Sequence, residues 1–174
     1  MAEDERVRLF CALRLPEPLL DALVEWQLGL ELPQEVRPVP RENAHITLAF
    51  LGWWPARRVD EAVESLRRRA ARIAPPRFAV ERYRETRSVG MLVLSEDAGA
   101  ARLAYGLQRD LLGEVERFPW LPHVTLLRFR TRPRLRPPVP DLGVVSPSDA
   151  AVYRSVLRAT GAQYEVLETV ALGG

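Results

Sequence analysis

The 174-residue sequence predicts an α+β fold built mainly of antiparallel strands. Three observations carry this expectation. Strand-like and helix-like segments alternate with short connections between them. The order strand, helix, histidine-bearing strand occurs twice, which implies two similar lobes of roughly eighty residues interleaved in a single domain, 1–174. The last part of the chain reads as a long hairpin.

The elements follow in order. Residues 7–15, VRLFCALRL, read as a strand. Pro16 opens a helix over about 17–31, with Leu20, Leu23, Val24, Gln27 and Leu30 near helical spacing. The segment RPVPREN is proline-rich and extended. HITLAFLG, residues 45–52, is the next strand, with Gly52 as its stop. A second helix is expected over about 57–74 on the stripe Val59, Ala62, Val63, Leu66, Ala70 and Ile73. Arg67 to Arg69 read as its solvated face. Pro75 and Pro76 end it, and two strands follow near RFAVERY and GMLVLS. A third helix spans about 98–112 and is closed by Gly113. A second histidine strand lies near 121–130, then a proline- and arginine-rich loop over 131–141. AVYRSVLRA and QYEVLETVAL, joined at Thr160 and Gly161, form the closing hairpin.

Composition narrows the class. About half of the residues are apolar and about a quarter charged, as in an ordinary globular domain. No apolar run approaches membrane-spanning length. The start, MAEDERVRLF, carries no apolar signal region, so a cytoplasmic location without membrane attachment is expected. Cys11 is the only cysteine, which excludes an internal disulfide and a cysteine-built zinc site. It lies in LFCAL and reads as a core residue. All 25 basic residues are arginine, and the net charge of +2 does not by itself announce a nucleic-acid binder.

His45 and His123 are the only histidines. Each is followed two places later by threonine. Side chains alternate across a strand, so His45, Thr47, Ala49 and Leu51 are expected on one face and Ile46, Leu48 and Phe50 on the core face. In HVTLLRF, His123, Thr125 and Leu127 share a face opposite Val124 and Leu126. With six threonines in the chain, two such pairings by chance amount to roughly one in a thousand. Three chemistries compete for this set. A metal site would need carboxylates that do not stand at suitable spacing. Nucleophilic catalysis would need a serine or cysteine set against a base, and no such motif occurs. Paired acid–base catalysis on a phosphodiester needs two groups titrating near neutrality and hydroxyls aimed at the non-bridging oxygens. The residue types and their duplication suit the third, which requires no metal and no cofactor.

HITL and HVTL resemble the paired His-x-Thr-x signatures of the 2H phosphoesterases. Together with RLFCALRLP, RENAHITLAFLG, PHVTLLRFR and YRSVLRATGAQYEVL, they are most similar to the RNA 2′,3′-cyclic phosphodiesterases, historically called 2′-5′ RNA ligases. The resemblance implies a two-lobed, pseudo-symmetric fold with antiparallel sheets lining a central cleft and helices outside. It implies hydrolysis of RNA 2′,3′-cyclic phosphate ends to 2′-phosphomonoesters, with His45 as proton donor and His123 as proton acceptor. The residues alone leave those two roles interchangeable. Alternative outcomes are 2′-5′ ligation at the same site, action on a small cyclic nucleotide, or a non-catalytic module that binds RNA ends. No obligatory protein partner is implied, and a monomer is expected.

Secondary candidates complete the set. Thr47 and Thr125 would bind phosphate. Arg128 would join them only if its strand twists, bulges or ends, because strict alternation places it opposite His123. Arg128, Arg130, Arg132, Arg134 and Arg136 recur at every second position and read as a charged, proline-broken edge, with an RNA-facing stripe as the alternative. Phe10 and Trp120 are candidates for stacking a terminal base.

Overall fold

The computed structural model describes residues 5–173. Its elements are β1 (Arg6–Arg14), α1 (Glu17–Leu28), β2 (Arg37–Pro38), β3 (His45–Pro55), α2 (Val59–Ala70), β4 (Val80–Glu85), β5 (Val89–Leu94), α3 (Ala98–Leu112), β6 (His123–Arg128), β7 (Asp149–Arg158) and β8 (Gly161–Ala171). The fold is α+β, as the interleaving predicts. All strand pairings are antiparallel and join in one eight-stranded sheet, ordered β4-β5-β6-β3-β1-β7-β8 with β2 also paired to β6. The halves β4-β5-β6 and β3-β1-β7-β8 meet through a single register pair, Ile46 opposite Val124. The two expected sheets are therefore one sheet with a narrow seam.

One face of the sheet carries the main core. Leu9, Cys11 and Leu13 of β1, Ile46 and Leu48 of β3, and Leu92 and Leu94 of β5 pack with Leu20 and Leu23 of α1, Leu66 of α2 and Leu103 and Leu107 of α3. Cys11 is fully buried there, which pushes its thiol up to about 12 and fits the core role read from LFCAL. The other face holds a smaller cluster of Phe10, Ala12, Ala151 and Tyr153, with Tyr164 against it. No helix among the described residues is long and apolar enough to cross a membrane.

The helix ends follow local chemistry. α3 matches its predicted span because both caps are present: the Asp97 carboxylate accepts from Ala100 N–H at 2.9 Å, and Gly113 adopts φ +76°. α1 stops at Leu28, short of the predicted 31, because Gly29 terminates it and its N–H turns back to the carbonyls of Glu25 and Trp26. α2 runs only from Val59 to Ala70, after a 3₁₀ turn at Ala56–Arg58. The arginine run on α2 is not merely solvated. Arg69 grips Asp110 of α3 through two hydrogen bonds of 2.7 Å, and Arg68 adds a third at 3.2 Å.

β3 departs most from its predicted form. Gly52 does not stop it; the strand continues to Pro55. Two extra residues sit in β3 relative to β1. Ala12 pairs with Thr47 and Cys11 with Ala49, which leaves Leu48 as a bulge, and Phe10 pairs with Phe50 and Leu9 with Gly52, which leaves Leu51 as another. Gly52, at φ +66°, supplies the left-handed backbone that lets the strand resume. Each bulge reverses the alternation beyond it. Ala49 is consequently buried in the core rather than beside His45. Phe50, expected in the core, emerges 60% exposed on the histidine face.

Candidate active site

The histidines lie at the seam. With Ile46 opposite Val124, the antiparallel register sets His45 across from Thr125 and Thr47 across from His123. The two motifs thus form a four-cornered patch in which each histidine faces the other motif's threonine. It lies on the sheet face that the helices leave open.

Both imidazoles are oriented in the same way. His45 Nδ1–H donates to the carbonyl of Asn43 at 2.7 Å, and His123 Nδ1–H donates to that of Leu121 at 2.7 Å. A carbonyl only accepts, so Nδ1 carries the proton in both rings, and Nε2 is the atom that exchanges protons. In His45 that Nε2 accepts from the Thr47 hydroxyl at 2.8 Å. Asn43 also fixes β8: its side-chain amide donates to Ala162 O at 2.9 Å, and its side-chain oxygen accepts from Tyr164 N–H at 3.4 Å.

Aromatic rings enclose His45. Phe10 lies 4.8 Å from it, centroid to centroid, and Tyr164 meets it edge-on at 5.4 Å. Phe10 in turn stacks on Tyr153 at 4.9 Å with the ring planes 4° apart. This apolar burial pushes the His45 pKa down to about 4, and the positive charge of His123 and Arg128 adds to the depression. His45 is neutral at pH 7 in this structure.

Arg128 lies on the open face of the sheet, by one of the routes its sequence position allowed. β6 is bulged at Leu126: Met91 pairs with Thr125 and Gly90 with Leu127. The reversal brings Arg128 round to the face of His123, where its guanidinium donates to the Tyr164 hydroxyl at 3.3 Å. The bulge falls three residues after the histidine, as Leu48 does in β3. Phe50 and Arg128 are therefore equivalent positions in the two halves, each five residues after its histidine and each turned onto the open face.

Two buried glutamines stand behind these bulges. Gln27 of α1 donates to Leu126 O at 2.8 Å and to Val39 O at 3.1 Å. Gln108 of α3 donates to Leu48 O at 3.4 Å and accepts from Glu116 N–H at 3.0 Å. The sequence placed Gln27 on the buried stripe of α1 but gave no hint of its target, because bulges are properties of strand pairing.

The remaining candidates have other settings. Phe10 is 3% exposed and forms the floor beneath His45, so it presents no open ring face for a base. Trp120 is half-buried; its indole N–H donates to Thr47 O at 3.0 Å, and its backbone N–H donates to the Tyr105 hydroxyl at 2.8 Å. It steadies β3 beside Thr47. In the arginine-rich loop, Arg132 Nε and the backbone N–H of Arg134 both donate to the buried Glu85 carboxylate, at 3.3 and 2.9 Å. That carboxylate anchors the proline-rich loop against β4. Among the described residues, no three His, Cys, Asp or Glu side chains converge as a metal-binding group.

A model of the LigT-like phosphoesterases matches residues 13–88, which include the first motif but not the second. An RNA 2′,3′-cyclic phosphodiesterase of Thermus thermophilus is 35% identical to this chain over 97% of its length and 91% of that protein. The chain belongs to the LigT-like phosphoesterase family. A second family member, the RNA 2′,3′-cyclic phosphodiesterase of Escherichia coli, is 30% identical over 77% of this chain and 78% of its own length. The crystal structure of E. coli LigT with 3′-AMP superposes on the whole fold with a TM-score of 0.81 at 27% identity, covering 98% of this chain and all of that one. A crystal structure from Thermus thermophilus gives 0.80 at 34% identity over 96% of this chain and 98% of that one. The LigT-like fold thus extends across both motifs, well beyond the segment that the family model matches.

Proposed function

We propose that this chain is a cytoplasmic phosphodiester hydrolase that opens RNA 2′,3′-cyclic phosphate ends to 2′-phosphomonoesters by paired histidine catalysis, without a metal. The carrying observation is the patch at the seam, where two imidazoles are fixed alike through Nδ1 and leave Nε2 for proton exchange, with the Thr47 hydroxyl on that of His45. The relatives' names support the choice of a cyclic phosphate on RNA.

In this scheme, His123 Nε2 takes a proton from water as its oxygen attacks phosphorus. The bond from phosphorus to O3′ breaks, and His45 Nε2 delivers a proton to the departing oxygen. Thr47, Thr125 and Arg128 hold the non-bridging oxygens, where charge accumulates. His45 is neutral in the free site, so it takes up its proton as the phosphodiester anion enters and raises the imidazole pKa. Phe50, exposed on the same face with its ring 6.0 Å from Phe10, is placed to stack the terminal base. The reverse reaction at this site is 2′-5′ ligation, and a small cyclic nucleotide would present the same phosphate.

The depressed pKa of His45 favours a second reading in which the roles are exchanged and His45 is the base. The deciding experiment uses RNA ending in a 2′,3′-cyclic phosphate, incubated in EDTA, with 2′- and 3′-phosphate products separated. A 2′-phosphate is expected. Absence of hydrolysis would overturn the activity, loss in EDTA the metal-free mechanism, and a 3′-phosphate product the choice of leaving oxygen. Roles are then assigned with a substrate carrying sulfur at the 3′ bridging position, which leaves without protonation. Only the variant lacking the acid should recover on it.

A further inference from the structure

β6 has two partners along one edge. Val124 faces Ile46 of β3, while Leu127 and Arg128 face Pro38 and Arg37 of β2. Residues directly opposite in an antiparallel pair share a face. Arg128 turns to the histidine face, as its contact with Tyr164 shows, so Arg37 leaves β2 on that face as well. Both arginines are exposed, and neither forms an ion pair with a carboxylate among the described residues. Like charges directly across a sheet repel, and among the described residues no carboxylate is paired with either arginine to offset it. The pairing is nevertheless well held: Val39 N–H donates to Leu126 O at 2.8 Å, and the Gln27 amide bridges the Leu126 and Val39 carbonyls behind it.

We propose that Arg37, next to Arg128, is an anion subsite for the phosphodiester one nucleotide upstream of the reacting phosphate. This rests on the reading of the seam as the site of cyclic phosphate hydrolysis. A terminal 2′,3′-cyclic phosphate leaves only the 5′ side of the strand to be bound. Along β6, the position of Arg37 lies three residues beyond that of His45, a rise of roughly 10 Å. A guanidinium there is offset from the histidine pair yet contiguous with Arg128. Its planar donors suit a phosphodiester, and the ligand's negative charge removes the repulsion between the arginines.

The test compares a mononucleoside 2′,3′-cyclic phosphate with a dinucleotide that ends in the same group and carries one internal phosphate. For Arg37→Ala, the ratio of kcat/KM between dinucleotide and mononucleotide should fall about tenfold, with a partial return in Arg37→Lys. In parallel, titration of a short RNA bearing a 3′-phosphate, repeated across salt concentrations, should lose about one unit from its salt slope in Arg37→Ala. Equal losses on both substrates would place Arg37 on the reacting phosphate and overturn the subsite, as would an unaltered ratio with an unaltered slope. If the wild-type protein hydrolyses neither substrate while the slope still falls, the hydrolytic reading fails and the subsite stands. A merely structural role for Arg37 would lower the unfolding temperature without moving the substrate ratio.

Discussion

The side-chain amide of Gln27 in α1 donates to the carbonyl of Leu126 in β6 across 2.8 Å, although 99 residues separate them. The helix that follows the first strand thereby props the bulge that aims Arg128, a residue of the other half of the sheet.

Gln27→Leu removes both of its hydrogen bonds, leaving Leu126 O with the Val39 N–H alone and taking this donor from Val39 O in the core. A loss of about 1–3 kcal/mol in denaturant unfolding is expected. If Gln27 acts on catalysis through Arg128, then Gln27→Leu lowers kcat/KM in the wild-type background and has little further effect in an Arg128→Ala background. Multiplying losses would show that the two act separately. Gln108→Leu deletes the 3.4 Å bond to Leu48 O and the acceptor for Glu116 N–H at 3.0 Å, so a loss in the same range is expected.

His45→Ala and His123→Ala should each reduce turnover of a cyclic phosphate a hundredfold or more. Near-normal activity in either variant would rule out the two-histidine scheme. Circular dichroism should show the same fold in both.

Acid should weaken the fold through His45. Its pKa is about 4 in the folded protein against 6.5 when exposed, so below pH 6.5 the unfolded chain takes up the proton first. The contribution from neutral burial is complete above about pH 6.5 and drains away as pH falls toward 4, by of order 1–3 kcal/mol. Urea midpoints at pH 7 and 4.5 should differ less in His45→Gln than in the wild type; an equal difference would refute this origin.

Tyr164→Phe keeps the ring against His45 and Phe10 but deletes the acceptor for Arg128. A loss of up to about 1 kcal/mol in transition-state stabilisation is expected, read as kcat/KM. Tyr164→Ala should cost more and raise the His45 pKa by opening its surroundings to water. A shift of the acidic limb of the pH–rate profile would report it.

Asp110 supplies a comparison outside the cleft. Arg69, Arg68 and Ser65 hold its carboxylate well below the usual range. Asp110→Ala should loosen α2 from α3 by about 1–2 kcal/mol, with kcat preserved in the folded fraction. This ion pair is intact above the ordinary carboxylate pKa and is lost as pH falls further, a more acidic window than that of His45.

Much of this architecture was legible in the letters. The Gly113 end of α3, the closing hairpin, the core position of Cys11 and the pairing of two His-Thr motifs all follow from local chemistry and periodicity. Strict alternation failed at Leu48, Leu51 and Leu126, where an extra residue reverses every side chain beyond it. A leucine at a bulge is indistinguishable from a leucine in a regular strand, because the bulge is defined by the partner's register. Phe50 was therefore assigned to the core, and Arg128 could be brought to the site only conditionally. Arg37 was invisible for the same reason: its significance lies in the residue across from it, not in its neighbours along the chain.

Asn43 links the start of the site to residues synthesised much later, Ala162 and Tyr164, across separations of 119 and 121 residues. Contacts this distant make for slow, late closure during folding. On a ribosome, both histidines would emerge well before the hairpin that walls in His45. The wall around His45 is thus among the last parts of the fold to close, well after both histidine strands exist.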